Sequence, residues 1–199
     1  SNGALLAVTE PTPVAGIIWV DTTWSAANGP YTVTGNVGVA TGVTLTIEAG
    51  TVIKFAGGHE ILINGTLIAN GTPTSRIRFV SATPGVSSGA TMLKFKNANL
   101  SNSQLSYVDF EYGQYGIRIG QETEHQQGEK NTGQLTISDA RFNNAGVFTD
   151  GYSTSASLLI VNADINGTEI KGAYPRSEPI EIRNSIITSS TIFSDNYNN

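Results

Sequence analysis

Side chains suited to ligand binding are concentrated in one short stretch of the second half of the chain. Tyr112 and Tyr115 offer ring faces there. Gln114, Arg118 and Glu122 offer hydrogen-bond donors and acceptors close by. Sugar rings stack on exposed aromatic faces, and polar side chains beside such a platform bond the hydroxyls. We therefore predict that these five residues bind a polysaccharide or a cell-surface glycan. If Tyr112 points into the interior instead, only the ring of Tyr115 remains for stacking.

A second group of residues has the chemistry of a polysaccharide-cleaving enzyme. Asp109 and Glu111 lie two residues apart, and Asp139 follows in a similar segment. Glycoside hydrolysis uses two carboxyl groups roughly 5–10 Å apart. No motif marks Arg118 or Arg141 as the base that a lyase would need. Because these residues obey the repeat described below rather than break it, we expect them to be structural.

A third group, of three glutamates and one histidine, raises the question of a metal site. The residues are Glu122, Glu124, His125 and Glu129. Calcium prefers several oxygen ligands, but the spacing matches no calcium-binding loop. We therefore predict a solvated charged loop without a cofactor, and keep Ca²⁺ as the alternative. With two histidines and no cysteine, a histidine-rich or cysteine-ligated metal site is excluded.

These residues belong to a repeat that must position them. Four segments have an apolar residue at the first, third and eighth places and Asp or Asn at the fifth, and they start 30, 23 and 22 residues apart. Alternating apolar and polar residues predict strands, and Asp or Asn suits a sharp bend between them. The segments begin at Leu105, Leu135, Leu158 and Ile180.

The repeat predicts how successive copies stack. A coil of short strands cannot bury its own inner face, so each coil must pack on the next. We expect the four leading residues to form one interior column, with Tyr107 beside Ile137. The fifth-place residues should form a ladder at the bend, in which side-chain amides bond from coil to coil; its members would be Asp109, Asp139, Asn162 and Asn184.

This arrangement resembles the right-handed parallel β-helix of pectate lyases, phage tailspikes and many bacterial surface proteins. The runs 30–55 and 63–79 look like the opening coils of secreted bacterial members of that family. The resemblance implies an all-β fold, namely a single-stranded right-handed parallel β-helix solenoid with an N-terminal cap. It also implies an extracellular or bacterial cell-surface location. It implies no single activity, since the same coil carries lyases, hydrolases and binding domains.

The chain divides into a short start and one long solenoid. Residues 1–16 are predicted as a linker or lead-in segment, residues 17–30 as a cap built on Trp19 and Trp24, and residues 31–199 as the β-helix. A sugar-stacking role is the alternative for the two tryptophans. The insertion at 120–134 should lie outside the coils, so we expect the fold to tolerate deletion of residues 121–133.

Composition narrows the classes of partner. The net charge is −5, and the 11 Lys and Arg residues are scattered, so a nucleic-acid footprint is missing from the sequence. No apolar stretch is long enough to span a membrane. We therefore expect a non-catalytic extracellular domain for carbohydrate binding or adhesion. A polysaccharide lyase or glycoside hydrolase of the pectate-lyase-like superfamily, or a fragment of one, is the alternative, and a structural spacer is the third option.

Overall fold

The computed structural model describes residues 10–120, 131–150, 155–173 and 180–195. Over these ranges the chain is all-β, with two 3₁₀ turns at Ala26–Asn28 and Leu100–Asn102. The strands, numbered in chain order, stack in parallel register on three faces of a solenoid of about seven coils. The fold class predicted from the repeat is therefore confirmed.

Face 1 is a seven-stranded parallel sheet with one strand from each coil. Its strands are β2 (Thr22–Trp24), β4 (Thr44–Ile47), β7 (Thr66–Asn70), β10 (Gln104–Ser106), β13 (Thr132–Ser138), β16 (Ser155–Val161) and β19 (Ile180–Arg183).

Faces 2 and 3 form one larger sheet, because the long strand β3 (Tyr31–Val39) bends and belongs to both. β1 (Thr12–Ile18) pairs with β3 along both parts. Face 2 continues with β5 (Val52–Phe55), β8 (Ile77–Ser81), β11 (Val108–Glu111), β14 (Arg141–Asn143), β17 (Asp164–Asn166) and β20 (Ile186–Thr188). Face 3 continues with β6 (Ile61–Ile63), β9 (Thr91–Phe95), β12 (Tyr115–Ile119), β15 (Gly146–Asp150), β18 (Glu169–Ala173) and β21 (Thr191–Asp195).

Coil 1 consists of β2 and β3, and each later coil takes three successive strands, so that coil 7 consists of β19, β20 and β21. Within a strand, alternate side chains point inward. In β13, for example, Leu135 and Ile137 are buried while Thr136 is exposed. Leu135 stands opposite Leu158, which stands opposite Ile180, as the repeat predicts.

Aromatic rings fill the interior of face 2. Phe79, Phe110 and Phe142 come from three successive coils and stack with ring centroids 5.1 and 5.0 Å apart. All three side chains are fully buried or nearly so. Offset stacking of this kind adds about 0.5–1.5 kcal/mol per pair beyond the burial of area. The stack therefore helps to fix which residues of neighbouring coils lie opposite each other.

The corners between faces use left-handed backbone. Between faces 1 and 2, coils 4 to 7 each place one residue at positive φ: Tyr107, Asp139, Asn162 and Asn184. Between faces 2 and 3, the same coils place Tyr112, Asn144, Gly167 and Ser189 at positive φ. Asn, Asp and Gly tolerate this conformation best, which explains most of the residues at these corners.

The predicted position of the first repeat is wrong by two residues. Leu105 stands opposite Ile137, and Phe110 stands opposite Phe142. Tyr107 is consequently a corner residue with φ 49° rather than an interior one. An alternating pattern is unchanged by a shift of two residues, so Tyr107 looked acceptable inside. The packing of Phe110 between two other phenylalanines favours the observed register.

The predicted ladder of Asp and Asn side chains is also wrong. Asp109 lies in β11, opposite Arg78 on one side and Arg141 on the other. The side chain of Asn162 is exposed and forms no hydrogen bond among the described residues. Asp139, Asn162 and Asn184 therefore accommodate a left-handed turn of the backbone and do not bond one another from coil to coil.

The N-terminal end is covered by one of the two tryptophans. Trp24 is buried and stacks on Tyr31, with ring centroids 4.9 Å apart and an interplanar angle of 14°. Trp19 is 71% exposed, so its predicted capping role is wrong. β1 runs across the predicted boundary between residues 16 and 17 and adds a strand to the sheet. The N-terminal end of the solenoid is thus capped by Trp24 together with the strand β1.

The predicted insertion at 120–134 ends earlier than expected. Residues 121–130 lie outside the described residues, but Asn131 is fully buried. Its side chain accepts a hydrogen bond from the Ala98 amide and donates one to the Phe95 carbonyl. β13 then begins at Thr132. Deleting residues 121–133 would remove these contacts, so the C-terminal limit of a tolerated deletion moves to residue 130.

The inner column of face 1 predicts a large effect of charge. Ile137 is fully buried between Leu105 and Ile160, so Ile137→Asp should lower the free energy of unfolding by several kcal/mol, roughly 4 or more. Thr136→Asp, one residue earlier on the exposed side, should change it by less than about 0.5 kcal/mol. Urea denaturation of the two variants measures the difference. Equal stability would show that the inward face has been assigned wrongly.

The corner geometry predicts an order of substitutions at Asn162. Its φ of 55° strains any residue with a Cβ that lacks the local bonding of Asn, so Asn162→Ala should cost about 1 kcal/mol. Asn162→Gly should be neutral or slightly stabilising, since glycine adopts this φ freely. Thermal unfolding of both variants distinguishes the explanations. If glycine destabilised the fold as much as alanine, a side-chain bond of Asn162 would be responsible instead.

Candidate functional site

The outer surface of face 1 carries a strip of uncharged polar side chains. Asn70, Ser106 and Ser138 stand opposite one another on three successive coils. Two residues earlier in the same strands, Gln104 and Thr136 also point outward and are exposed. The strip contains amides and hydroxyls, and every member is held on a strand rather than on a loop. Strand-borne side chains are well positioned for recognition because their backbone is fixed.

A groove of about 630 Å³ runs over this strip. Hydroxyl and amide groups line it, together with the backbone of Leu105, whose side chain is buried: Asn70, Ser101, Ser103, Gln104, Leu105, Ser106, Gln134, Thr136 and Ser138. We call this surface the face 1 groove.

One part of the groove is shaped by the 3₁₀ turn at Leu100–Asn102. Asn99 caps this turn by accepting a hydrogen bond from the amide of Ser101, and Leu100 is buried beneath it. The hydroxyl of Ser101 accepts a hydrogen bond from the backbone N–H of Gln134 in the next coil. The turn delays the start of β10 until Gln104, which shortens that strand to three residues. The turn therefore anchors the Ser101 side of the lining.

The amide side chains of the groove are held by their neighbours. Asn70 donates from Nδ2 to Oε1 of Gln104 over 3.1 Å and accepts from the hydroxyl of Ser106 over 3.1 Å. Gln134 donates from Nε2 to the hydroxyl of Ser157 over 3.2 Å. Each amide has two N–H donors and an oxygen with two lone pairs, so bonding capacity remains for a ligand. Fixed donors and acceptors lower the entropy cost of binding.

The described lining of the groove offers groups that can bind a ligand, but not groups that transfer protons. Among the described residues, those that line it include no acid, base or other titratable side chain. General acid–base catalysis needs such a group within hydrogen-bond reach of the substrate. The surface instead presents donors and acceptors at closely spaced positions, which suits a ligand that is rich in hydroxyl groups.

The acids considered for catalysis lie on face 2 and are held by arginines. Arg76 donates from Nε to Oδ1 of Asp109 over 2.7 Å. Arg78 binds the carboxylate of Glu111, the shorter contact being 2.9 Å from Nη2 to Oε1. Each of these carboxylates is therefore engaged in a charge-assisted hydrogen bond with an arginine of the preceding coil. Asp139 lies at the corner and does not stack below Asp109.

Arg76 does more than hold one carboxylate. Its Nη2 donates to the Val108 carbonyl over 3.1 Å and to the Asp139 carbonyl over 2.6 Å. Its guanidinium also lies 5.8 Å from the ring centroid of Tyr107. Arg76 thus belongs to coil 3 and contacts residues of coils 4 and 5, which makes it a structural clamp.

Face 2 also has a smaller groove of about 260 Å³, lined partly by Asp109, Glu111, Arg141 and Asp164. Arg141 stands between Asp109 and Asp164 in the pairing of the coils, so charge alternates along this column. Among the described residues, no three His, Cys, Asp or Glu side chains come together as a metal site. The predicted charged loop residues, for which Ca²⁺ binding was the alternative, lie outside the described residues: Glu122, Glu124, His125 and Glu129.

The predicted binding residues are brought together in part on the flank of coil 4. Gln114 is exposed, and Tyr112 and Tyr115 are half-buried. Tyr112 occupies the corner at φ 56°, in line with Asn144, so it is not the interior counterpart of Phe142. The ring of Tyr115 lies at 5.6 Å from that of Phe148. Gly146 permits this placement, since a Cβ there would lie 2.7 Å from the Tyr115 ring.

Arg118 lies beneath this flank rather than on it. Its guanidinium is 5.7 Å from the ring centroid of Tyr115 and 4.8 Å from that of Phe148, and the residue is only 3% exposed. At these distances the guanidinium makes cation–π contacts with both rings. Glu122, the fifth predicted residue, lies outside the described residues. The flank therefore presents Gln114, Tyr112 and Tyr115, with Arg118 buried beneath them.

The sequence analysis missed the face 1 groove. Its residues appear in the sequence as the polar half of an ordinary strand, for example Thr136 and Ser138 beside Leu135 and Ile137. The available signal is the absence of charge at outward positions over several coils, from Asn70 through Ser157. That signal becomes visible only when the strands of successive coils are set side by side.

Comparisons with known proteins leave the fold as the firmest classification. The chain matches no protein-family model, no curated protein and no solved structure. Over the residues that the structure describes, no helix is long and apolar enough to cross a membrane. The class that the structure defines is a parallel β-solenoid in which each coil adds one strand to each of three faces.

The Arg76 clamp predicts unequal effects of two arginine substitutions. The Asp109 side chain is 9% exposed, so Arg76→Ala leaves a buried carboxylate without its partner and should destabilise the fold by about 3 kcal/mol or more. Arg78→Ala should cost less than about 1 kcal/mol, since that arginine side chain is 46% exposed. Guanidinium chloride would screen the pairs, so urea is the denaturant of choice. Similar losses in both variants would argue against a clamp at Arg76.

Proposed function

We propose that this protein is a non-catalytic carbohydrate-binding solenoid that recognises a polysaccharide or a cell-surface glycan, and that it serves adhesion or attachment. The observation that supports this function best is the face 1 groove, where the described lining residues carry amides and hydroxyls and no charge. Carbohydrates present many hydroxyl groups that each donate and accept. Fixed Asn, Gln and Ser side chains match that requirement.

The location proposed with this function is extracellular or at a bacterial cell surface. The resemblance to secreted β-helix proteins supports it, as does a chain rich in Gly, Thr, Ser and Asn with few charges. Membership of the pectate-lyase-like superfamily is a proposal on the same grounds. An exported solenoid would present its lateral faces to a glycan layer, and the face 1 groove lies on one of these faces.

An enzyme of the same fold is the second candidate. The charged groove on face 2 contains Asp109, Glu111 and Asp164, which are the residue types that cleave glycosidic bonds. The arginine partners of Asp109 and Glu111 oppose that role. Incubation with pectin, alginate and glycosaminoglycans separates the two functions. New reducing ends or unsaturated products would favour the enzyme, and a spacer would show neither cleavage nor binding.

Two matched pairs of variants test the binding function and its location. A glycan array identifies a ligand, and calorimetry then gives its dissociation constant. Gln104→Ala and Thr136→Ala should each weaken binding about tenfold, since each removes roughly 1–1.5 kcal/mol of hydrogen bonding. Thr34→Ala, an exposed threonine on β3, is the control for Thr136 and should leave affinity unchanged.

The flank of coil 4 is tested in the same experiment. Gln114→Ala removes the same exposed amide side chain as Gln104→Ala, and Tyr115→Ala removes the tyrosine ring at the flank of coil 4. If either variant weakened binding while Gln104→Ala did not, the glycan would bind at the flank predicted from the sequence. Circular dichroism of all variants checks that the β-solenoid is intact.

A further inference from the structure

We propose that the face 1 groove binds an internal stretch of a neutral polysaccharide, laid along the axis of the solenoid across several coils. This inference rests on the proposed carbohydrate-binding function and specifies its substrate class. It follows from the direction of the polar strip, from the distribution of charge around it, and from the apolar residues that flank it.

The direction of the strip indicates an extended ligand. Asn70 belongs to coil 3, Gln104 to coil 4 and Thr136 to coil 5. Adjacent parallel strands lie about 4.8 Å apart, so the strip extends over roughly 10 Å perpendicular to the strands. That length exceeds one sugar ring. A ligand that contacts all three coils must therefore be a chain of at least two sugar units.

The charge distribution indicates a neutral ligand. Among the residues that the structure describes, the lining offers no cation to a uronate carboxylate, which would lose hydration without gaining an ion pair. On the same face, the outward cation of coil 7 is Arg183, and it is already bonded to Glu181. This hydrogen bond and the charge of Glu181 raise the pKa of Arg183. The chain's net charge of −5 further opposes the approach of a polyanion.

Apolar residues flank the polar pair Gln104 and Thr136 on the coil before and on the coil after. Ile68 stands opposite Gln104 on one side, and Leu159 stands opposite Thr136 on the other. Both are half-buried and point outward. Sugar rings have C–H faces that pack on apolar side chains, so a chain that leaves the polar centre still finds a favourable surface. An internal stretch of polymer is thus accommodated better than a chain end.

The test uses the whole protein and oligosaccharides of defined length. Gluco-, manno- and xylo-oligosaccharides with two, four and six units are compared by calorimetry with oligogalacturonates of the same lengths. We expect binding within the neutral series, with affinity at least tenfold higher for six units than for two. Because no ion pair is involved, the dissociation constant should change less than about twofold between 50 and 500 mM NaCl.

Variants locate the chain within the groove. Asn70→Ala, at the coil 3 end, should weaken the six-unit ligand by about fivefold or more, whereas Thr34→Ala should not. Preference for oligogalacturonate with strong salt dependence would overturn the neutral assignment while leaving glycan binding in place. Equal affinity for two and six units would overturn the extended arrangement. Absence of binding to every sugar, on this panel and on a broad array, would overturn the proposed function itself.

Discussion

Hydrogen bonding between successive coils is the constraint on which every other feature of this molecule depends. Each strand pairs in parallel with the strand one coil before and one coil after, so a residue's neighbours are set by the coil register. The register places Phe79, Phe110 and Phe142 in one stack, and it places Asn70, Ser106 and Ser138 in one outward row. The coil register therefore determines both the packing of the core and the composition of the candidate binding surface. A change of register in one coil would alter both at once.

The repeat allowed the fold class to be predicted from the sequence, and the columns through Leu135, Leu158 and Ile180 with it. What it did not determine was the phase of the first copy, because an alternating pattern fits equally well after a shift of two residues. The decision came from contacts that no local pattern contains. Phe110 packs between phenylalanines of two other coils, and the corner accepts Tyr107 with its ring near Arg76. The bends were easier to predict than the pairing of residues between coils, because a positive φ favours Asn, Asp and Gly at a single position of the sequence.

The candidate site was less predictable than the fold. Arg118 alternates with inward residues in β12, and its position suggested an accessible cation. It is nevertheless buried, and its guanidinium lies close to the rings of Tyr115 and Phe148, the second of which comes from another coil. Conversely, Gln104 and Thr136 look unremarkable in sequence and become significant only as neighbours. Residues that act as a surface are recognisable from their spacing in three dimensions, which a single sequence provides only after alignment of its repeats.

The reach of Arg76 has a mechanical consequence. In a solenoid whose coils touch only adjacent coils, fraying from either end can proceed one coil at a time. Arg76 in coil 3 bonds the backbone of coil 4 and also the Asp139 carbonyl of coil 5. Peeling coils away from the C-terminal side would therefore meet a barrier at coil 5, where a link to a coil two positions away must break together with the ordinary pairing. Under tension, as on a protein attached at one end, this would favour an unfolding intermediate that retains coils 1 to 5.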